Sequence, residues 1–441
     1  MTMKRKIIVF TACISLFGLA GFSSGQDLLI KNGTILTVTQ GKMVNADILI
    51  QGGIITGMGP GLEAPEGIKV VDVSGKYIMP GIIDTHTHVA LSATNEGTES
   101  ITSEVRMHDV INAEDPGIYT ALSGGVTMIH TLHGSANAIA GENVTLKMKW
   151  GKTAEELVVH EALRTLKFAL GENPKRANSV NPNAPVRYPQ TRMGVNAIIR
   201  REFKKAKNYM EQWDRYNVLR KSKKPPSNLI PPRKDLKLEP LAEMLRGNIV
   251  ARVHAYRADE MIEFIQLSKE FGFKIACFEH ASEAFKIAKE LAANDIGTSV
   301  FTDSWAYKVE AAEGIAYSAG YCTKQGVLVS INSDSGERIR RLFNDAAKTM
   351  KYGGLSEEEA LKLITYNSAI QLGVDKIVGS LEVGKHGDIA VFNDHPLSAY
   401  TRCELTIIEG EIYFDRAQYL KEREEKEKKS KEAAEKKGGE R

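Results

Sequence analysis

The chain has 441 residues, 42% hydrophobic and 26% charged, a balance that supports a sizeable core and excludes disorder, collagen and a multi-span membrane protein. Lys plus Arg exceed Asp plus Glu by 58 − 55 = 3, too few to argue for a nucleic-acid partner. That excess lies in the first 25 residues, where Lys4, Arg5 and Lys6 face no acid.

These cations precede an apolar stretch from Ile7 to about Phe22, and Ser23-Ser24-Gly25 then offer small residues for cleavage. The pattern predicts a signal peptide over 1–25 and export to the periplasm or the medium; a retained anchor is the alternative. The stretch contains Thr11, Ser15 and two glycines and barely reaches spanning length. Cys13 sits early in it for a lipid-attachment site, and that route stays open. After cleavage only Cys277, Cys322 and Cys403 remain, too sparse a set for a disulfide framework. Three buried thiols are expected, with one bridge at most.

Residues 27–80 are short β-prone runs broken by Asn-Gly and Gly-Gly: DLLIKNGTILTV, ADILIQGGIITGMG and KVVDVSGKYIMPG. This is antiparallel hairpin chemistry. The texture returns over 376–416 as GSLEVGKHGDIAVF and CELTIIEGEIYF. Neither segment has enough strands to stand alone, so together they predict one small β-sandwich built from both chain ends. Between them, over 81–375, apolar runs such as GVTMIHTLH, NIVARVHA, KIACFEH and GVLVSINSD alternate with helical patterns such as ADEMIEFIQLSKEFG. Repeated β-then-α predicts an α/β fold with a parallel sheet, either a closed eightfold barrel or a doubly wound sheet. No phosphate-binding glycine motif follows any strand, which weakens the nucleotide-binding version. Residues from about 174 to 241 are rich in Lys, Arg and Pro and read as a helical insertion over one end of the barrel. Residues 417–441 are nearly all Lys, Glu and Arg, a frayed helix or a disordered tail.

The histidines matter by placement. His86 and His88 close the run IMPGIIDTHTH, and residues two apart on a strand leave the same face. His254, His280 and Asp334 each close another strand-like run. Imidazoles and carboxylates are the ligand set of Zn²⁺ and similar ions, and in a barrel the strand ends form the active-site mouth. Lys167 lies inside the apolar run TLKFAL, where a free ammonium is costly to bury. Carboxylation by CO₂ would turn it into an anion able to bridge two metals, and the ions' field would favour the deprotonated amine.

The run PGIIDTHTH, the strand-end His254, His280 and Asp334, and the stretch TYNSAIQLGVDKIVGSLEVGKHGDIAVF together resemble the amidohydrolase superfamily, nearest its imidazolonepropionase-like branch. The resemblance covers about Asp27 to Phe414 and implies a distorted (β/α)8 TIM barrel carrying the β-sandwich. It implies that His86 and His88 are first-strand metal ligands, His254 and His280 the fifth- and sixth-strand histidines, and Asp334 the eighth-strand aspartate. Lys167 is similar to the carboxylated lysine of two-metal members; where relatives use glutamate instead, Glu142 and Glu172 are the local contenders. Ser368 and His386-Gly387 depart from the usual family ending, away from the ligands.

The implied cofactor is one or two divalent ions, Zn²⁺ foremost, and the implied reaction is attack of a metal-activated hydroxide on a carbonyl carbon with cleavage of a C–N bond. Asp334 would be both ligand and proton shuttle. His130 and His133, in MIHTLHGSANAIAGEN, and Tyr256 and Arg257, after His254, are candidate substrate contacts. Two other functions compete: a deaminase of a heterocyclic amine, and a catalytically silent binding paralogue. Glu279 precedes His280 instead of following it, which counts against the deaminase; no ligand is missing, which counts against the silent paralogue. The expected partner is a small-molecule substrate, with self-association open and neither nucleic acid nor a lasting membrane span expected.

Overall fold

The structure, a computed structural model, describes residues 25–175, 187–304 and 306–438. The expected signal peptide lies outside the described residues. Among those described, no helix is long and apolar enough to cross a membrane.

The first five strands are β1 (Leu28–Leu36), β2 (Lys42–Gln51), β3 (Ile54–Gly59), β4 (Lys69–Asp72) and β5 (Tyr77–Pro80). The barrel strands follow as β6 (Ile82–Thr87), β7 (Val126–Thr131), β8 (Ile139–Glu142), β9 (Val144–Lys147), β10 (Thr165–Ala169), β11 (Val250–Ala255), β12 (Ile275–His280), β13 (Gly297–Val300) and β14 (Val329–Ile331). The chain ends with β15 (Ile389–Phe392), β16 (Cys403–Ile408) and β17 (Glu411–Asp415).

Both chain ends enter one sheet in the order β17-β16-β15-β5-β1-β2-β3, with β4 beside β1. The seam is β5 against β15, antiparallel from Tyr77 opposite Phe392 to Pro80 opposite Ile389. Ile30, Ile48, Ile78, Ile389 and Ile407 share a buried cluster distinct from the barrel's, so neither end has a core without the other. Gly81 is the passage from sheet to barrel. Its N–H donates to the carbonyl of Asp388, and a Cβ there would lie 2.0 Å from the Thr127 hydroxyl, so no larger residue fits.

In the barrel β6 and β7 are parallel, and β10 to β14 form a continuous parallel ladder. Between β7 and β10 the run Ile139–Lys147 goes the other way: β9 is antiparallel to β7, and β8 to β10. One place in the ring is therefore reversed, which is the distortion. Near β14 the ring is closed by side chains and a turn: the Thr85 hydroxyl bonds those of Ser299 (2.8 Å) and Ser330 (3.0 Å), and the Asp334 N–H donates to the His86 carbonyl at 3.0 Å. Parallel strands finish on the same rim, so residues closing different strands face one another.

The 174–241 region needs a correction. Its helix Arg192–Arg220 buries Val195, Ile198, Ile199, Phe203 and Ala206 in the barrel core, at the spacing of one helical face. The Phe203 ring stacks 4.3 Å from Phe273 and 6.0 Å from Phe168 on β10. The first half of this helix is thus a crossover helix of the barrel, and only the part beyond about Met210 stands off as an excursion. The apolar face was present in AIIRREF but masked by the basic residues around it. At the chain's end a helix spans Arg416–Gly438, held near its start by Tyr419 against Tyr119 and Phe414. Cys277, Cys322 and Cys403 are free and buried.

Phe203→Ala should cost about 3–5 kcal/mol of unfolding free energy in denaturant titrations, because a large buried ring leaves a cavity among other aromatics. A loss below about 1 kcal/mol would contradict the packing described for this helix.

Candidate metal centre

On β6 alternate side chains face the barrel interior, which carries Asp84 and His86 inward and His88 to the rim. The His88 Nε2 lies 3.2 Å from Asp334 Oδ1, and its Nδ1 is 2.8 Å from the Leu132 carbonyl. His86 Nε2 is 3.9 Å from Asp334 Oδ1, and His280 Nε2 is 3.8 Å from Oδ2. One donor atom from each of His86, His280 and Asp334 falls within 4.8 Å of the others. The His254 ring lies 4.7 Å from that of His280, and the Lys167 ammonium 3.2 Å from His86 Nε2. The six expected ligands thus stand together at one rim. Two of them need unusual backbone: His280 has φ 67° and Asp334 φ 42°, left-handed values that turn the chain sharply at the strand end.

Burial holds the His86, His254 and His280 imidazoles well below the ordinary histidine range, so all three are neutral and keep a lone pair. Burial alone would raise the Asp334 carboxyl, but the His88 hydrogen bond and the neighbouring imidazoles outweigh it and hold the group well below the usual carboxylate range. Desolvation brings Lys167 down to about 8, against the opposing fields of Glu279 and Asp334, so its neutral amine is accessible. Among the described residues, both nitrogens of His254 and the Nδ1 of His280 are buried with no hydrogen-bond partner. Orphaned polar atoms in a core are costly and rare. A divalent cation is the partner that neutral imidazoles and an ionised carboxylate suit, and these residues fit one.

The sequence model of the Amidohydrolase family matches residues 249–413. A crystal structure of an amidohydrolase from Thermotoga maritima MSB8 superposes with a TM-score of 0.79 at 33% identity, covering 88% of this chain and all of that one. The chain belongs to the amidohydrolase family. Among curated proteins, the amidohydrolase tasK of Hapsidospora irregularis is 30% identical over 84% of this chain, and the dihydropyrimidinase of Dictyostelium discoideum 39% identical over 23%. The chain spans 40% of the first of these proteins, and its match covers 18% of the second.

Around this amidohydrolase centre the remaining expected residues fare differently. Tyr256 is at the rim: its ring stacks 5.3 Å from His280, its hydroxyl bonds that of Tyr307, and Lys308 Nζ sits 4.0 Å over its face. Beside Asp334 opens a cleft of about 890 Å³ lined by Phe301, Tyr307, Ser335, Arg338 and Lys348. Arg257, expected at the substrate, instead forms an exposed ion pair with Asp259 at 2.9 Å, because it starts a helix and its side chain turns outward. His130, expected likewise, is buried with Nδ1 and Nε2 each 2.9 Å from a threonine hydroxyl, Thr145 and Thr165. His133 is also committed: its Nε2 accepts the Glu96 N–H and its Nδ1 meets the Gly134 carbonyl. Neither histidine has a nitrogen left for a ligand. Glu142 pairs with Arg164 at 2.7 Å away from the cluster. Glu172 is joined to Glu310 through its backbone, and no side-chain bond from it to the cluster is present among the described residues.

Two residues bordering the centre are not among the expected ligands: Arg252, inward-facing two places before His254, and Glu279, next to His280. Their only sequence signal is a charged residue inside an otherwise apolar strand.

Apoprotein stability should fall as the pH drops below neutrality. His133 is pushed down to about 4 by burial, against an unfolded value near 6.5. Across that interval the unfolded chain binds a proton that the folded one refuses, so stability is lost at up to about 1.4 kcal/mol per pH unit, and the three neutral ligand imidazoles act in the same direction. The denaturant midpoint of chelator-treated protein should be lower at pH 5 than at pH 7. An unchanged midpoint would contradict neutral imidazoles in the fold.

Proposed function

We propose that this protein hydrolyses a C–N bond of an amide, cyclic amide or peptide-like small molecule with the help of one or two divalent ions, Zn²⁺ foremost. The observation that carries this is the pairing of buried, neutral, unpartnered imidazoles with an ionised Asp334 that faces a substrate-sized cleft. Two named relatives, an amidohydrolase and a dihydropyrimidinase, support the C–N bond class.

His86, His88, His254, His280 and Asp334 would hold the ion, with Lys167 a second-metal ligand once CO₂ has converted its amine to a carbamate. When bound, such an ion supplies Lewis acidity towards a carbonyl oxygen and lowers the pKa of water. The chain's own residues do the rest. Asp334, ionised and at the edge of the cleft, accepts a proton from water as the oxygen bonds to the carbonyl carbon. As the C–N bond breaks, the same carboxyl returns that proton to the departing nitrogen. Phe301 and Tyr307 wall one side of the cleft and offer it aromatic surface. Tyr256 would act on the substrate through Tyr307, which lines the cleft and whose hydroxyl is bonded to that of Tyr256.

Metal analysis of purified protein, coupled to a screen of dipeptides, N-acyl amino acids and cyclic ureides, tests the proposal. Asp334→Asn should reduce turnover roughly 10²- to 10⁴-fold while the thermal unfolding curve stays two-state. Full hydrolytic activity in that variant would remove the proton shuttle. For Lys167, wild-type protein stripped by acid and chelator should recover with metal only when bicarbonate is supplied. Lys167→Ala that still binds two metals normally would exclude the bridging role.

A further inference from the structure

We infer that Arg252 and Glu279 are positioning residues of the metal centre, a buried relay that holds His86 in the one tautomer able to offer Nε2 to a cation. The inference rests on the metal-dependent reading above and extends it to residues one layer below the ligands.

Arg252 and Glu279 have no solvent exposure, and the guanidinium Nε donates to Glu279 Oε1 at 2.5 Å. The second carboxylate oxygen, Oε2, lies 3.1 Å from His86 Nδ1. Among the described residues neither Oε2 nor Nδ1 is engaged in a hydrogen bond, so each has the other as its close polar neighbour. The guanidinium is itself fixed, with Nη2 donating to the Thr85 carbonyl at 3.0 Å and Nη1 to that of Gln371 at 3.4 Å. Gln371 in turn is anchored by its side chain to the carbonyls of Leu328 and Thr298 and accepts the Ser330 hydroxyl. A rigid chain of contacts thus runs from the β13–β14 side of the barrel to the first-strand histidine.

Simple stabilisation is a poor account of this pair. Burying two charges costs about as much as their attraction returns, and well-packed apolar residues of similar size are often as stable or more so. What apolar residues cannot do is choose a tautomer. A neutral imidazole carries one N–H, and a carboxylate only accepts, so an oxygen at Nδ1 places the hydrogen there. The Nε2 lone pair then faces Asp334 and Lys167, whose Nζ donates to it at 3.2 Å. Carboxylates behind metal-bound histidines act in this way generally. Here the carboxylate arrives from the strand of another ligand, His280, and its counter-ion from the strand of a third, His254. The relay therefore couples the orientation of three ligand strands.

The test uses the full-length protein and reads metal binding directly. Zn²⁺ affinity is measured by competition with a chromophoric chelator, and ligand geometry by the visible spectrum of Co²⁺-reconstituted protein. The double variant Arg252→Met/Glu279→Leu leaves no unpaired buried charge. It should unfold near the wild-type temperature as apoprotein, bind Zn²⁺ roughly 10- to 100-fold more weakly, and show an altered Co²⁺ spectrum. Arg252→Lys, which keeps the charge but not the fork, should recover part of the affinity. If the double variant does not fold, Glu279→Gln serves instead: it keeps the volume, and a loss of Zn²⁺ affinity in folded protein supports the relay. Wild-type affinity and spectrum in whichever of these variants is folded would reduce the pair to a structural role. Failure of the wild type to bind any divalent ion would overturn the metal-dependent reading and the relay together, a result distinct from failure of the variants alone.

Discussion

The arrangement of this protein turns on one constraint: several imidazoles are taken out of water beside a carboxylate without being given enough hydrogen-bond partners. His254 has none at either nitrogen, yet it sits at the end of a strand with its neighbours packed around it. Burial keeps such rings neutral, and neutrality is what a cation-binding imidazole requires. The same burial keeps the Lys167 amine close to losing its proton. Asp334 escapes the trend because His88 donates to it and it opens onto the cleft. The centre is polarised in advance, with donor atoms of His86, His280 and the ionised Asp334 gathered within 4.8 Å of one another.

The barrel makes that convergence geometrically cheap. Its parallel strands deliver His86, His254, His280 and Asp334 to one rim from four places in the ring, although 248 residues separate the first from the last. The reversed run Ile139–Lys147 shows that the ring tolerates a strand of opposite direction where no ligand is required. That run instead buries His130 against two threonines, one of them its own Thr145. The β-sheet domain lies at the other end of the first barrel strand: β5 leads into β6 through Gly81, so the seam of the two chain ends anchors the strand that carries His86 and His88.

Below the ligand layer the interior stays polar where an apolar filling would be expected. Thr85, Ser299, Ser330, Gln371, Arg252 and Glu279 are all buried and joined to one another. Buried hydrogen-bonded networks of this kind are stiff, and the one carboxylate oxygen left over here, Glu279 Oε2, lies 3.1 Å from His86 Nδ1. A hydrogen-bonded floor beneath buried imidazoles fits a site whose geometry is set before any substrate arrives.

By itself the sequence determined the kinds of element and pointed to the candidate ligands. Alternating β and α patterns limited the fold to a barrel or a doubly wound sheet and the family resemblance chose the barrel, hairpin chemistry at both ends named the second domain, and histidines or an aspartate closing apolar runs marked candidate ligands. These were legible because periodicity and strand-end position are local properties of the chain. Only the tertiary structure decided what depends on the third dimension. It placed the first half of the Arg192–Arg220 helix in the core, since a buried face shows only when something lies against it. It withdrew His130, His133 and Arg257 from the substrate list, because threonine hydroxyls, a backbone carbonyl and N–H, and Asp259 had already claimed them. And it joined Arg252 to Glu279 and Glu279 to His86, contacts between different strands that no spacing along one chain could announce.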